Sequence, residues 1–322
     1  MTVAVQRQYS GTAGRTENCQ VAVYLADTAP AGTAFIGRAL YLPRSWTRDP
    51  ARCRAAGVPP DTAFATKPAL VRQMTGRALD AGTPAAWAAA DEVYGQDPAL
   101  RAGLARRGLG YVLAVAKTAP VATGIGTRPA IELARRLPAR AWQRLSAGPG
   151  ATGPRWYDWA LIEVTDPAVT GGGPHWLLLR RRISDGEYAF YRAHAPAPVP
   201  LAQLVKVAGS RWKIEDGFAA GKELAALDEH QVRSSTSWHR WTILALLAHA
   251  FLSVLAAAQP GRGHPRDGPL IPLTRNEIRR LFTGLCQQLA APALQLHWSR
   301  WRRRHQATAR ACHYRRRALA HA

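Results

Sequence analysis

Residues 85–116 constrain the fold more than any other part of this 322-residue chain. The run Ala85-Ala-Trp-Ala-Ala-Ala is wholly apolar and stops abruptly at Asp91 and Glu92. A short apolar run of this kind reads as a buried strand, here with an acid at its carboxyl end. A helix is expected over residues 97–107, followed by a second apolar strand, Gly110-Tyr-Val-Leu-Ala-Val-Ala116. Open α/β sheets place their functional groups at the carboxyl ends of their strands, so Asp91 is a candidate from position alone. The same position also suits an ordinary cap or turn acid.

The flanking segments extend this pattern. Residues 1–18 are polar and Gly-rich and read as a loop or hairpin turn. Residues 19–27 and 33–42 are two β-type runs joined by Thr-Ala-Pro-Ala-Gly, most simply an antiparallel pair. Pro43, Trp46 and Asp49-Pro50 mark a long loop, and residues 67–80 have helical spacing with Pro68 suited to the first turn. Residues 117–154 are rich in Gly, Pro and Arg and read as a connection or lid, with a short helical stretch around 131–145. Three strands follow, at 156–164, 175–183 and 187–193, the last two joined by Ser-Asp-Gly; they read as a β-rich insertion. Residues 241–258 approach transmembrane length, but His249, Ser253 and many alanines favour a buried core helix over a membrane span. A Gly/Pro/Arg linker at 259–270 leads to Thr274-Arg-Asn-Glu277, which matches a capping box at a helix start.

Charge narrows the partners. Lys and Arg outnumber Asp and Glu by 43 to 21, and a net charge of +22 points to a polyanion, with nucleic acid ahead of a membrane surface. The end of the chain concentrates this charge among aromatic residues: Arg300, Arg302 and Arg303 stand beside Trp298 and Trp301, a composition suited to DNA backbone or to a stacked base, and equally to a solvated terminus. The four cysteines lie far apart in sequence and form no Cys-x-x-Cys pair, which fits a reducing cytosol. The first residues lack a charged start followed by an apolar core, so no signal peptide is expected and the location expected is cytoplasmic.

A second acid is marked by its spacing. In Ser210-Arg-Trp-Lys-Ile-Glu-Asp-Gly-Phe-Ala-Ala-Gly-Lys222, a helix sets Arg211, Glu215 and Lys222 on one side, with Trp212, Ile214 and Phe218 mostly on others. Such a helix can present a metal-binding carboxylate flanked by phosphate-binding cations. Its spacing serves a solvated Arg211–Glu215 ion pair equally well. Converging carboxylates such as Asp91 and Glu215 can hold Mg²⁺, and two such ions stabilise an in-line phosphoryl displacement.

Arg211-x3-Glu215-x6-Lys222 resembles the acidic helix of bacterial insertion-sequence DDE transposases. The resemblance runs over nearly the whole chain. It includes Gln6-Arg-Gln-Tyr-Ser-Gly-Thr-Ala-Gly-Arg15, Leu40-Tyr-Leu-Pro-Arg-Ser-Trp46, Ala63-Phe-Ala-Thr-Lys-Pro68, Asp91-Glu-Val-Tyr-Gly95 and Cys312-His-Tyr-Arg-Arg-Arg317. It implies an α/β fold, a ribonuclease H-like mixed sheet with flanking helices, interrupted by a β-rich insertion before the last catalytic helix. Residues 1–116 and 201–258 then form the core, 117–200 the linker and insertion, and 259–322 a basic tail. The implied activity is Mg²⁺-dependent cleavage and strand transfer on double-stranded DNA, with Mn²⁺ able to substitute and a homo-oligomer for synapsis. Asp91 and Glu215 are the implied catalytic metal ligands, and Arg211 and Lys222 the implied phosphate contacts.

Two departures matter. The signature's Tyr, three residues before the Arg, is Ala208 here. The family's first catalytic Asp lies on a strand further upstream of the Gln-Arg-Gln-Tyr motif than this sequence extends, and residues 1–26 contain no Asp. The expectation is therefore a truncated transposase that binds DNA but is inactive as written, lacking its first strand and one carboxylate, with Thr2 to Gln6 partly filling the gap. The other reading is a catalytically dead DNA-binding remnant that regulates transposition.

Overall fold

The computed structural model describes residues 2–11, 13–150, 153–170, 172–258 and 273–289, with residues 297, 301, 305, 308 and 312. The chain divides into two compact units, Met1–Ser253 and Val254–Ala322.

The polar leading stretch is a hairpin, β1 (Gln6–Ser10) against β2 (Arg15–Cys19). A second hairpin, β3 (Ala22–Ala29) with β4 (Gly32–Leu40), is the expected antiparallel pair. The expected long loop after it contains two short helices instead, α1 (Arg44–Thr47) and α2 (Pro50–Ala55). The Asp49 side chain accepts from Arg52 N at 2.9 Å and Pro50 fills the first turn, so local capping makes a helix of Asp-Pro. Trp46 is fully buried there against Val3, Ala4, Leu42 and Val58, and Val3 N donates to Arg233 O at 2.9 Å. The N-terminal residues thus pack in this cluster and do not fill a place beside the Asp91 strand.

Next come α3 (Lys67–Asp80), capped by Thr66, and β5 (Trp87–Ala90), which ends at Asp91. The one-turn α4 (Glu92–Gly95) leads to α5 (Pro98–Arg106), whose cap Asp97 accepts from Leu100 N at 2.6 Å. Then β6 (Gly110–Val115) pairs parallel with β5, from Trp87↔Gly110 to Ala90↔Leu113.

The segment read as a connection is more ordered than its composition suggests. It holds a small hairpin, β7 (Pro120–Thr123) with β8 (Gly126–Pro129), then α6 (Ala130–Arg135) and β9 (Gln143–Gly150). The three expected strands follow as β10 (Gly153–Val164), β11 (His175–Arg181) and β12 (Tyr188–His194). They continue the sheet that β5 and β6 begin, because β12 pairs antiparallel with β6. The result is a six-stranded mixed sheet in the order β5-β6-β12-β11-β10-β9. One face packs Trp159, Leu178 and Tyr191 under α7 (Leu201–Ser210), the other packs Leu177, Leu179 and Phe190 under α6. Coverage on both faces explains why Leu177, Leu178 and Leu179 are all fully buried in succession. Among the described strands, β5 pairs with β6 alone, and β3–β4 stands as a separate ladder.

α8 (Trp212–Ala225) and α9 (Ser235–Ala257) complete the first unit, α9 running a few residues past its boundary. α9 was expected to be buried; it is so only along one side, through Trp238, Thr242, Leu246 and His249, while Ile243, Leu244 and Leu247 are exposed. It is long and apolar enough to cross a membrane by length and composition. In the second unit, α10 (Arg275–Leu289) starts as the capping sequence predicts, Thr274 Oγ1 accepting from Glu277 N at 3.2 Å.

Candidate active site

Asp91 lies immediately beyond β5 and is the N-cap of α4, its Oδ1 accepting from Val93 N at 3.0 Å. It is exposed, and the cap occupies one of its oxygens. Burial raises the neighbouring Tyr94 hydroxyl to about 12, with the Asp91 charge adding to the shift. The helix that Asp91 caps is held tightly. A Cβ on Gly95 would stand 1.9 Å from Ala114 O, so only glycine lets α4 lie this close to β6. Arg101 Nη1 donates to Gly95 O at 2.9 Å from the other side.

Arg101 is itself fixed by a buried pair. Its Nε and Nη2 donate to the Asp166 carboxylate at 2.6 and 3.2 Å, and the two side chains are 7% and 3% exposed. Arg192 stands 3.7 Å from the same carboxylate. Burial pushes the Asp166 carboxyl up, but the Arg101 hydrogen bonds and the two cations outweigh it and hold the group below its ordinary value. The segment after β10 is thereby tied to the turn that carries Asp91.

Glu215 sits in the first turn of α8 and is paired with Arg211 at 3.1 Å. The helix expected over residues 210–222 is interrupted: α7 ends at Ser210 and α8 begins at Trp212, with Arg211 as the junction. Lys222 is directed elsewhere, its Nζ 3.6 Å from Asp228. Ile214 and Phe218 pack toward Phe35, but Trp212 is 47% exposed. Arg300, Arg302 and Arg303 lie outside the described residues.

The ladder register places the first acid. Ala90 is level with Leu113 on β6, so Asp91 falls in the row of Ala114, which pairs with Tyr191 on β12. The Arg211 charge acts on the buried Tyr191 hydroxyl, whose value burial raises. α7 packs across β5, β6 and β9. Asp91 thus follows the carboxyl end of β5, while the Arg211–Glu215 pair follows the end of α7, whose Gly209 lies against Ala147 of β9. Arg180 and Arg155 also act on Tyr191. Arg180 lies over the Tyr157 ring at 4.6 Å with a buried Nε that has no hydrogen-bond partner, and Arg155 donates to Ala147 O and Gly209 O. Sequence reasoning passed over both arginines; their signal is a cation at an inward position of an otherwise apolar strand, legible only once the strand's face is known.

Among the described residues no group of three or more His, Cys, Asp or Glu side chains is placed to hold a metal ion. Asp91 and Glu215 are each engaged by one partner, the Val93 backbone N–H and the Arg211 guanidinium.

Residues 1–140 match the family model described as DDE superfamily endonuclease. The match covers under half of the chain; it includes Asp91 and stops before Glu215. No curated protein matches the sequence.

Proposed function

With residues 1–140 forming a DDE transposase-type domain, we propose that the chain is an insertion-sequence transposase whose site is built on Asp91 and Glu215 across a ribonuclease H-like sheet. What supports this reading is an acid immediately beyond the carboxyl end of β5, inside the matched residues 1–140, together with the Arg211-x3-Glu215-x6-Lys222 spacing of α8. Asp91 and Glu215 would hold Mg²⁺ or Mn²⁺, which supplies stabilisation of the charge developing on a phosphoryl group. Arg211, and with it Arg180, would orient DNA phosphates by charge-assisted hydrogen bonds, while Lys222 would reach DNA only by leaving Asp228.

The substrate is double-stranded DNA, and a DNA-acting chain of this kind works in the cytoplasm. A homo-oligomer is supported by the exposed apolar stripe Ile243, Leu244 and Leu247 on α9. The separation of the β3–β4 ladder from β5 supports a sheet lacking one intervening strand and, with it, a third carboxylate. Cleavage is then weak or absent, which also favours the second reading, a DNA-binding regulator in which the Glu215–Arg211 pair is purely structural.

Nicking of supercoiled plasmid in Mg²⁺ or Mn²⁺ tests the proposal. The chain is expected to bind duplex and to nick weakly or not at all, with any nicking abolished in Asp91→Ala and in Glu215→Ala while binding is retained. Nicking that survives both substitutions, or a failure to bind duplex, rejects it.

A further inference from the structure

The β1–β2 hairpin presents one face to solvent. Its register pairs Arg7 with Asn18 and Tyr9 with Thr16, and Gln6, Gln8 and Ser10 with Cys19, Glu17 and Arg15. Because side chains alternate across a strand, Arg7, Tyr9, Thr16 and Asn18 share one face. All four are exposed, Tyr9 at 59%. Among the described residues none of their side chains makes a hydrogen bond or ion pair.

The opposite face roots the hairpin. Ser45 Oγ donates to Gln6 Oε1, and Gln8 Nε2 donates to Cys19 O at 2.8 Å. Trp46 Nε1 donates to Val5 O at 3.2 Å, just before β1 begins. One side of the ribbon is thus anchored and the other is presented. A two-stranded hairpin is marginal by itself, and a row of polar side chains with no partner adds nothing to its stability.

We propose that this face enters the major groove of duplex DNA, with Arg7 and Asn18 reading base edges and Tyr9 and Thr16 contacting backbone or thymine methyl. This rests on the DNA reading above and adds to it a surface remote in sequence from both candidate acids. The chemistry is specific in three respects. A two-stranded ribbon is a size that the major groove, about 12 Å wide, admits. Arg and Asn are the side chains that meet guanine and adenine edges with two hydrogen bonds each. The face carries no carboxylate: Glu17, the hairpin's acid, lies on the rooted side and pairs with Arg15 at 3.2 Å. In a chain of net charge +22 this gives an approach to DNA without local repulsion.

The test is selection from a pool of random-sequence duplexes by the full chain, followed by anisotropy binding of a selected and an unselected duplex. The variants are Arg7→Ala, Arg7→Lys, Asn18→Ala and Arg7→Ala/Asn18→Ala, with thermal melting to confirm that these exposed changes leave the fold intact. Each Ala variant is expected to bind the selected duplex about 5- to 150-fold more weakly and to lose base preference at one position. Binding to the unselected duplex should change by no more than about 2-fold for Asn18→Ala. Arg7→Lys should lose the base preference while keeping the salt dependence, because lysine retains charge but not the planar fork. A double variant that selects the same sequence with the same affinity overturns the ribbon and leaves the DNA reading standing. Failure of the unsubstituted chain to bind any duplex removes both. Unchanged DNA binding with a lowered oligomer mass assigns the face to a second copy of the chain and overturns the proposal equally.

Discussion

Replacing Asp166 by alanine should be among the most destabilising single changes in the first unit. The carboxylate is 3% exposed and receives two hydrogen bonds from Arg101, at 2.6 and 3.2 Å, and one from Ala168 N at 3.2 Å. Arg192 adds a second cation at 3.7 Å. Removing the anion leaves Arg101 buried with only the Gly95 carbonyl, facing another guanidinium across the vacated space. Breaking a buried pair from one side costs about 3–5 kcal/mol, chiefly the penalty of the uncompensated charge. Asp166→Asn keeps the shape and some acceptor capacity and should lose clearly less. The double variant Arg101→Met/Asp166→Leu should recover much of the loss, because an apolar pair of similar volume does not strand a charge. Urea unfolding followed by circular dichroism measures all three. An Asp166→Ala loss below about 1 kcal/mol, or a double variant worse than the sum of the singles, would refute the reasoning.

The remaining expectations follow from the same geometry. Gly95→Ala and Gly209→Ala each set a methyl 1.9 Å from a backbone carbonyl, that of Ala114 or Ala147, and should cost upward of about 2 kcal/mol by thermal melting. Glu215→Gln breaks a half-exposed pair and should change stability by less than about 0.5 kcal/mol, so any loss of nicking or metal binding in that variant reports on chemistry and not on folding. Burial lowers His175 and His194, whose rings stack at 4.5 Å, below the ordinary imidazole value. Their contribution is complete above about pH 6.5 and is lost as pH falls toward their folded values, so the urea midpoint should drop between about pH 7 and 5, and less so in His194→Gln. Leu244→Glu/Leu247→Glu, on the exposed side of α9, should lower the oligomer mass in sedimentation without unfolding the chain.

What could be read from sequence was local. Asp97, Thr66 and Thr274 announce their helices because a cap is satisfied within three residues. The β3–β4 and β11–β12 pairs are announced by β-type runs around short turns. β9 escaped because Gln143-Arg-Leu-Ser-Ala-Gly-Pro-Gly has a linker's composition and becomes a strand only through its ladder with β10. The half-exposure of α9 escaped because a helix apolar on every side carries no periodicity to say which side faces the core. For the candidate site, the Arg211–Glu215 contact was legible as an i,i+4 spacing, whereas the break at Arg211 was not. The Arg101–Asp166 pair joins residues far apart in sequence, and no local pattern marks either one.

That non-local pair bears directly on the candidate chemistry. Asp91 follows a four-residue strand that has a described ladder partner on one side only. An interior strand is held in register from both sides, but β5 relies on β6 alone, so other contacts must set where its last residue points. Two of them lie on the turn beyond β5: the approach of Gly95 to Ala114 O and the donation from Arg101 to Gly95 O. The first excludes every side chain at position 95, and the second depends on Asp166 to keep a guanidinium buried there. The strands beyond β6 in the sheet therefore do more than extend it. Through Asp166 and Arg192 they supply the charges that fix the Asp91 turn, and a chain cut after the match at residue 140 would lose that support along with Glu215.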